Sequence, residues 1–314
     1  MILPSNVKPS LCCIHTGLQE QSVKFNVMTY AQYTKLGKET GMKVLADRSL
    51  NNIKTIHAIV KECAKQGWNY RIGSNVFPLM THPDLKFALD DFYNFSDIMA
   101  EFSACAVTIR QAHIRCSMHP DQYVVPASPN PQVRKNAIRD LEQHAMIMDL
   151  LQLPQSYEAP INIHMNCYND GNFSEVVDRF TESYNLLSPS VRNRLVLENE
   201  DKLKSWTVVN LYNNIYERIN MPITFDNLHN KCNPSTLLDE EEAFEMAIST
   251  WPDGIVPLFH FSESLAGKNP RAHADFPTFV PEIYANYKSD LHLDFEFKHK
   301  ELAILKVKQE KVIF

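Results

Sequence analysis

The sequence predicts an α/β fold, a single barrel of eight parallel strands alternating with helices over residues 1–314. Three observations predict it. Short apolar runs alternate with stretches of helical periodicity along the whole chain, the pattern of parallel βα units. A length of 314 residues suits one such barrel with insertions, about 250 residues being typical. No Ser/Gly linker, internal repeat or low-complexity tract divides the chain.

The elements follow in order. Leu11–Ile14 reads as the first strand. Residues 50–66 carry Ile53, Ile56, Val60, Cys63 and Ala64 at helical spacing. Asn69–Ile72 is the second strand, and 85–104 reads as a helix with Leu85, Leu89, Phe92, Phe95, Met99 and Phe102 on one broad face. Ile114–Met118 is the third strand. Pro131 opens the next helix, where its missing N–H is not needed. Ile161–Met165 is the fourth strand, followed by a helix over 174–187 with Ser174 as its cap. Leu195–Leu197 is the fifth, then a helix over 205–219, then Ile223–Phe225 as the sixth. Residues 236–250 form a helix with carboxylates at its start, which suit the helix dipole. Ile255–Phe259 is the seventh strand. A proline-containing helix near 276–287 leads to Leu291–Phe295, the eighth, and a charged helix closes the chain. The polar stretches 15–48 and 262–277 read as loops over the barrel mouth.

Composition narrows the chemistry. Apolar residues make up 44% and charged residues 22%, ordinary values for a globular protein. A net charge of −6 supplies no overall basic field, so charge alone does not point to nucleic acid. Seven cysteines without a CxxC pair exclude a zinc ribbon and read as free thiols of a reducing, cytoplasmic setting. Only eight glycines are present, and no glycine-rich phosphate loop occurs, which argues against dinucleotide or ATP chemistry. No apolar run is long enough to span a membrane.

What ends each strand carries the functional signal. The third runs into His119, the fourth into His164, the fifth into Glu198 and the sixth into Asp226, with His229 three residues on. The seventh ends near His260 and the eighth at Glu296. In a parallel barrel the C-terminal strand ends converge on one mouth, where the active site lies. A set of imidazoles and carboxylates without thiolate suits Mn²⁺, Zn²⁺ or Fe²⁺. A lone histidine at a strand end is more often half-buried scaffold than ligand, but six such ends in register point to a shared metal cluster. Clusters of this kind hydrolyse phosphate esters.

At these residues the chain resembles the ultraviolet-damage endonucleases, relatives of the endonuclease IV type of abasic-site enzyme. The segments YRIGSNVFPLMTH (70–82), RCSMHPDQY (115–123), NIHMN (162–166), LENED (197–201), FDNLHN (225–230), HFSES (260–264), AHA (272–274) and EFKHKE (296–301) stand in the family's order, HPDQY and LENED being the most specific. The resemblance implies a TIM-type, xylose-isomerase-like barrel. It also implies a DNA-repair endonuclease that nicks damaged double-stranded DNA immediately 5′ of cyclobutane dimers and 6-4 photoproducts, leaving a 3′-hydroxyl. It implies two or three divalent ions, Mn²⁺ first and Zn²⁺ second. His119, His164 and Glu198 would hold one. Glu198 would bridge to another, shared with Asp226, His260 and Glu296. His229 and His273 would hold a third, with His82 supporting the cluster. Gln122 and Tyr123 would wedge into the base stack at the lesion. Arg71, Lys298 and Lys300 are phosphate-binding candidates, Lys298 also a catalytic one. A monomer acting in the cytoplasm, on the nucleoid, is expected.

Two positions depart from the family pattern. A lysine commonly stands two residues before the seventh-strand histidine, where this chain has Leu258, and the first-strand tyrosine and asparagine appear as Leu11 and His15. Leu258 cannot ligate a metal. Two enzymes of related scaffold remain alternatives, an abasic-site endonuclease and a metal-dependent sugar isomerase with a narrower pocket; a non-catalytic binder is a third.

Overall fold

The structure, a computed structural model, describes residues 2–167 and 173–309. Eight parallel strands form the barrel: β1 (Val7–Cys13), β2 (Asn69–Ile72), β3 (Cys116–Met118), β4 (Ile161–Ile163), β5 (Leu195–Glu198), β6 (Ile223–Thr224), β7 (Leu258–Phe261) and β8 (Leu291–Phe295). Each pairs with its sequence neighbours from β1 to β6, β7 pairs with β8, and β8 pairs with β1. The seam between β6 and β7 is closed by a single bridge, Asp226 to His260, with the His260 N–H donating to the Phe225 carbonyl at 2.9 Å. Two site candidates therefore also complete the barrel.

Alternation sorts the side chains of each strand. On β8, Leu291, Leu293 and Phe295 are buried among apolar neighbours, and Phe295 meets Phe261 edge-on at 5.2 Å. The other face carries His292, Asp294 and then Glu296. The outer faces of β6 and β7 pack Phe225 and Phe259 against Phe244 of the Glu240–Ser249 helix in edge-to-face contacts. Such pairs add about 0.5–1.5 kcal/mol each beyond area burial. This apolar layer lets the barrel interior be polar without loss of the core.

Several boundaries differ from the expectations. The stretch 15–48 is not a continuous loop: it contains helices Thr16–Glu20 and Tyr30–Leu36 and the start of a 29-residue helix, Lys38–Gln66. Thr29 and Gln32 form a capping box, and only Gly41, Leu45 and Ala46 are buried in the first nine residues of the long helix, so its polar face hides it. The helix expected over 85–104 begins at Phe95 and runs to Gln111, preceded by a 3₁₀ turn at Leu89–Asp91. Ser174 lies within the helix Phe173–Asn185 rather than capping it. The 205–219 segment is helical from Val208, with a π-helical turn at Tyr212–Tyr216. β7 starts at Leu258, because Pro257 offers no N–H to a ladder. Pro277 and Pro281 reduce the 276–287 helix to Glu282–Asn286. The C-terminal helix is Lys300–Lys306, after which Lys308–Gln309 pairs in parallel with Ile2–Leu3; Lys311 lies outside the described residues. All seven cysteines are free. No helix among the described residues is long and apolar enough to cross a membrane.

Candidate metal centre at the barrel mouth

Glu198 is the centre of the site. It ends β5, is fully buried, and is ringed by imidazoles: His229 Nδ1 at 2.9 Å, His119 Nε2 at 3.1 Å, His260 Nδ1 at 3.1 Å and His164 Nε2 at 3.5 Å. His260 also reaches Glu296 at 3.3 Å and Asp226 at 4.0 Å. His273 lies 3.7 Å from Glu296. The strands thus bring together all eight residues expected to bind metal. Three subsets present ligand atoms within 4.8 Å of one another: His119, His164 and Glu198; His119, His260 and Glu296; Glu198, Asp226 and His260.

The hydrogen bonds decide what these atoms can do. His119 Nδ1–H donates to the Pro120 carbonyl at 3.0 Å, His229 Nδ1–H to the Asn199 carbonyl at 3.0 Å, and His273 Nδ1–H to the Glu296 carbonyl at 2.8 Å. A backbone acceptor on Nδ1 leaves the Nε2 lone pair free, the usual arrangement behind a metal-ligating histidine. His119 Nε2 faces a carboxylate oxygen of Glu198 at 3.1 Å, a contact that a proton on that nitrogen or a cation held beside the two would satisfy. Glu198 Oε1, Asp226 Oδ2, His164 Nδ1 and both nitrogens of His260 are buried without a hydrogen-bond partner among the described residues. Buried polar atoms are rarely left so. The donor set therefore fits divalent cations.

Without a cation, protons and Arg71 carry the compensating charge. Burial drives Glu198 up, but His260 and His164, with His119 and His229 close beside it, outweigh it and hold the carboxyl well below the usual range. Burial lowers His260, yet Glu198 and Glu296 raise it to about 9. His229 is likewise carried well above its ordinary value, against burial, by Asp226 and Glu198. His164 is pushed down to about 4, chiefly by burial. Burial raises Asp226. Glu296 is held down, against burial, by Arg71 and His260.

The other expected residues divide. Arg71 is buried, its guanidinium bonded to Glu296 and 3.6 Å from Asp294. Gln122 lines the mouth, a cavity of about 770 Å³ that also takes in Arg71, His119, His164, His229 and Arg271. Tyr123 is 64% exposed and borders a smaller neighbouring pocket with His82. Three expectations need correcting. His82 does not join the cluster but stacks on Tyr30 with ring centres 4.1 Å apart. Lys298 does not face the mouth: β8 ends at Phe295, the Lys298 N–H donates to Ala274, and its ammonium lies 3.8 Å from Asp275. Lys300 opens the C-terminal helix instead of lining the cavity. His15 caps the Thr16–Glu20 helix and lies 3.3 Å from Glu301, while Leu11 and Leu258 are buried in the core.

Sequence reasoning missed Asp294, fully buried, with Oδ2 3.7 Å from His260 Nε2. Its signal was present, since it shares the inner face of β8 with Glu296 two residues on. It also missed Asn162, whose amide donates to Glu198, and Asn199, whose amide donates to the Asp226 carbonyl at 3.0 Å.

Comparison with known proteins agrees with this geometry. Residues 9–313 match the family model described as UV-endonuclease UvdE. The chain belongs to the UV-endonuclease family. The relative called UV DNA damage endonuclease from Bacillus velezensis is 29% identical over 294 residues, covering 90% of this chain and 87% of its own. Among solved structures, that of SacUVDE superposes with a TM-score of 0.80 at 26% identity and covers 96% of each chain. Endonuclease IV from Thermus thermophilus, at 14% identity and a TM-score of 0.54 over 80% of this chain and 90% of its own, shares the barrel fold. Family membership makes the chain an endonuclease acting on DNA, and the barrel is the one the sequence predicts.

Proposed function

We propose that this chain hydrolyses the phosphodiester bond immediately 5′ of an ultraviolet lesion in duplex DNA, leaving a 3′-hydroxyl, with two or three divalent ions, Mn²⁺ first among them. The observation that carries the reading is Glu198 buried within 3.5 Å of four imidazoles from four other strands or their loops, with its Oε1 and both nitrogens of His260 left without a hydrogen-bond partner among the described residues.

His119, His164 and Glu198 would hold one ion. Glu198, Asp226, His260 and Glu296 would hold the next, and His229 and His273 would hold a third. Such cations neutralise phosphate charge and make water a nucleophile near neutral pH. The chain's own residues set the rest. Backbone carbonyls of Pro120, Asn199 and Glu296 fix three ring orientations, so these imidazoles are not free to shuttle protons through Nδ1. Asn162 and Asn199 hold Glu198 and the Asp226 backbone in place. Gln122, which lines the cavity, and the exposed Tyr123 beside it would enter the base stack, and a lesion that already weakens stacking lowers the cost of that distortion. The enzyme would act as a monomer on DNA in the cytoplasm.

The test is a duplex labelled at the 5′ end and carrying one dimer, incubated with Mn²⁺ beside undamaged and abasic duplexes. We expect a nick directly 5′ of the dimer, lost in Glu198→Gln together with bound metal. Cutting confined to the abasic duplex would transfer the assignment to that lesion, and no cutting by metal-loaded protein would end it.

A further inference from the structure

The phosphate-binding candidates singled out in the sequence are spoken for: Arg71 is paired inside the barrel, and Lys298 and Lys300 do not line the mouth. The cations that do line it are Arg71, Lys202 and Arg271. Arg271 has a built setting. It lies on the loop after β7, on a hairpin-like arm closed by the Ser264–His273 bridge and by the Leu265 N–H to Ala272 carbonyl bond at 2.7 Å. Gly267, at φ +73°, supplies the left-handed turn within the arm. From that arm the Arg271 Nε–H donates to Asp201 Oδ2, at 2.6 Å, on the loop after β5.

This contact uses one edge of the guanidinium. Its two terminal nitrogens have no hydrogen-bond partner among the described residues, and the side chain is half exposed at the cavity rim. The terminal pair is the fork that matches two phosphate oxygens at once. Asp201, an acid beside a site that must take a polyanion, then has a reason to be there: it fixes the fork's direction. In the eight-stranded barrel the loop after β7 stands four strands from the loop after β3, which carries Gln122 and Tyr123. Arg271 and Gln122 line one cavity, with His119, His164 and His229 in the same lining.

We infer that Arg271, held by Asp201, is a phosphate-binding residue that grips the DNA backbone one or more phosphates from the bond being cut, at the rim of the cavity that Gln122 also lines. The inference rests on the DNA-cutting reading and adds a binding residue to it. Contact with one phosphate releases about one counterion, so the slope of log affinity against log salt changes by about 0.9 when the contact is lost.

The experiment measures KM and kcat for the dimer duplex across a salt series in Mn²⁺, for the wild type, Arg271→Gln, Asp201→Asn and the double variant. We expect Arg271→Gln to raise KM about five- to tenfold at low salt, to flatten the salt dependence by about one phosphate, and to leave kcat within about twofold. Asp201→Asn alone should not tighten binding, although it removes a negative charge from the rim. In the Arg271→Gln background the same change should tighten it, because the carboxylate there only repels DNA. A wild type that cuts while Arg271→Gln keeps its full salt slope overturns the inference and leaves the enzyme assignment standing. Tighter binding by Asp201→Asn alone overturns it as well. A wild type that neither binds nor cuts any duplex takes down the DNA-cutting reading, and the inference with it.

Discussion

Replacing Arg71 by methionine separates the two ways in which the buried acids of the mouth are neutralised. The guanidinium pairs with Glu296 and lies 3.6 Å from Asp294, both carboxylates being nearly or fully buried. At an effective dielectric of about 20, a unit pair at that separation is worth about 5 kcal/mol, and breaking a buried pair by removing one partner costs about 3–5 kcal/mol. For a chain of 314 residues the unfolding entropy is about 0.66 kcal/mol per kelvin, so the metal-free variant should melt about 5–8 °C below the metal-free wild type. Added Mn²⁺ should close much of that gap. The variant's mouth carries one more net negative charge, so it binds cations more tightly and gains more from them by mass action. Thermal unfolding followed by circular dichroism, in chelator and then in excess Mn²⁺, gives four midpoints. An equal or wider gap in metal would refute the argument that Arg71 and the cations share one electrostatic role.

Two further outcomes follow from the site. In the metal-free chain His260 is raised to about 9, so its stabilising proton is present below its unfolded value near 6.5 and is lost as pH rises through 9. Metal must displace that proton, so Mn²⁺ affinity should strengthen from pH 6 towards 9; titration calorimetry in buffers of different ionisation enthalpy should show net proton release, and pH-independent binding would contradict the assignment. Tyr123→Ala removes a side chain that is 64% exposed, so the melting temperature should hold within about 1 °C, while affinity for the dimer duplex should fall about tenfold if the ring stacks on a base; equal affinity would remove Tyr123 from lesion recognition.

Much of the site was legible because a parallel barrel puts strand C-termini in one place, and the sequence marks those ends with polar residues after apolar runs. His119, His164, Glu198, Asp226, His260 and Glu296 all meet as expected. What stayed hidden had physical causes. Asp294 lies inside a strand, where an acid reads as an exposed position unless the barrel interior is known to be polar. The first turns of the Lys38–Gln66 helix carry too few apolar residues to show a face. The β7 boundary was obscured because Ile255–Phe259 is an uninterrupted apolar run, and only the missing proline N–H sets where pairing begins. Lys298 misled because strict alternation was carried three residues beyond the strand's last ladder residue, Phe295.

The seam pairings have a bearing on how the enzyme comes into being. β1 pairs with β8 from Val7 against Leu291 through Leu11 against Phe295, so the first strand waits for the last before its second edge is covered. Contacts so far apart in sequence form slowly, and synthesis proceeds from the N-terminus. Until β7 and β8 emerge from the ribosome, Glu198 has neither His260 nor Glu296 beside it, and the cup that collects cations has a missing wall. A half-made chain therefore lacks part of its candidate metal centre, and the capacity to cut DNA arrives only with the strands that shut the barrel.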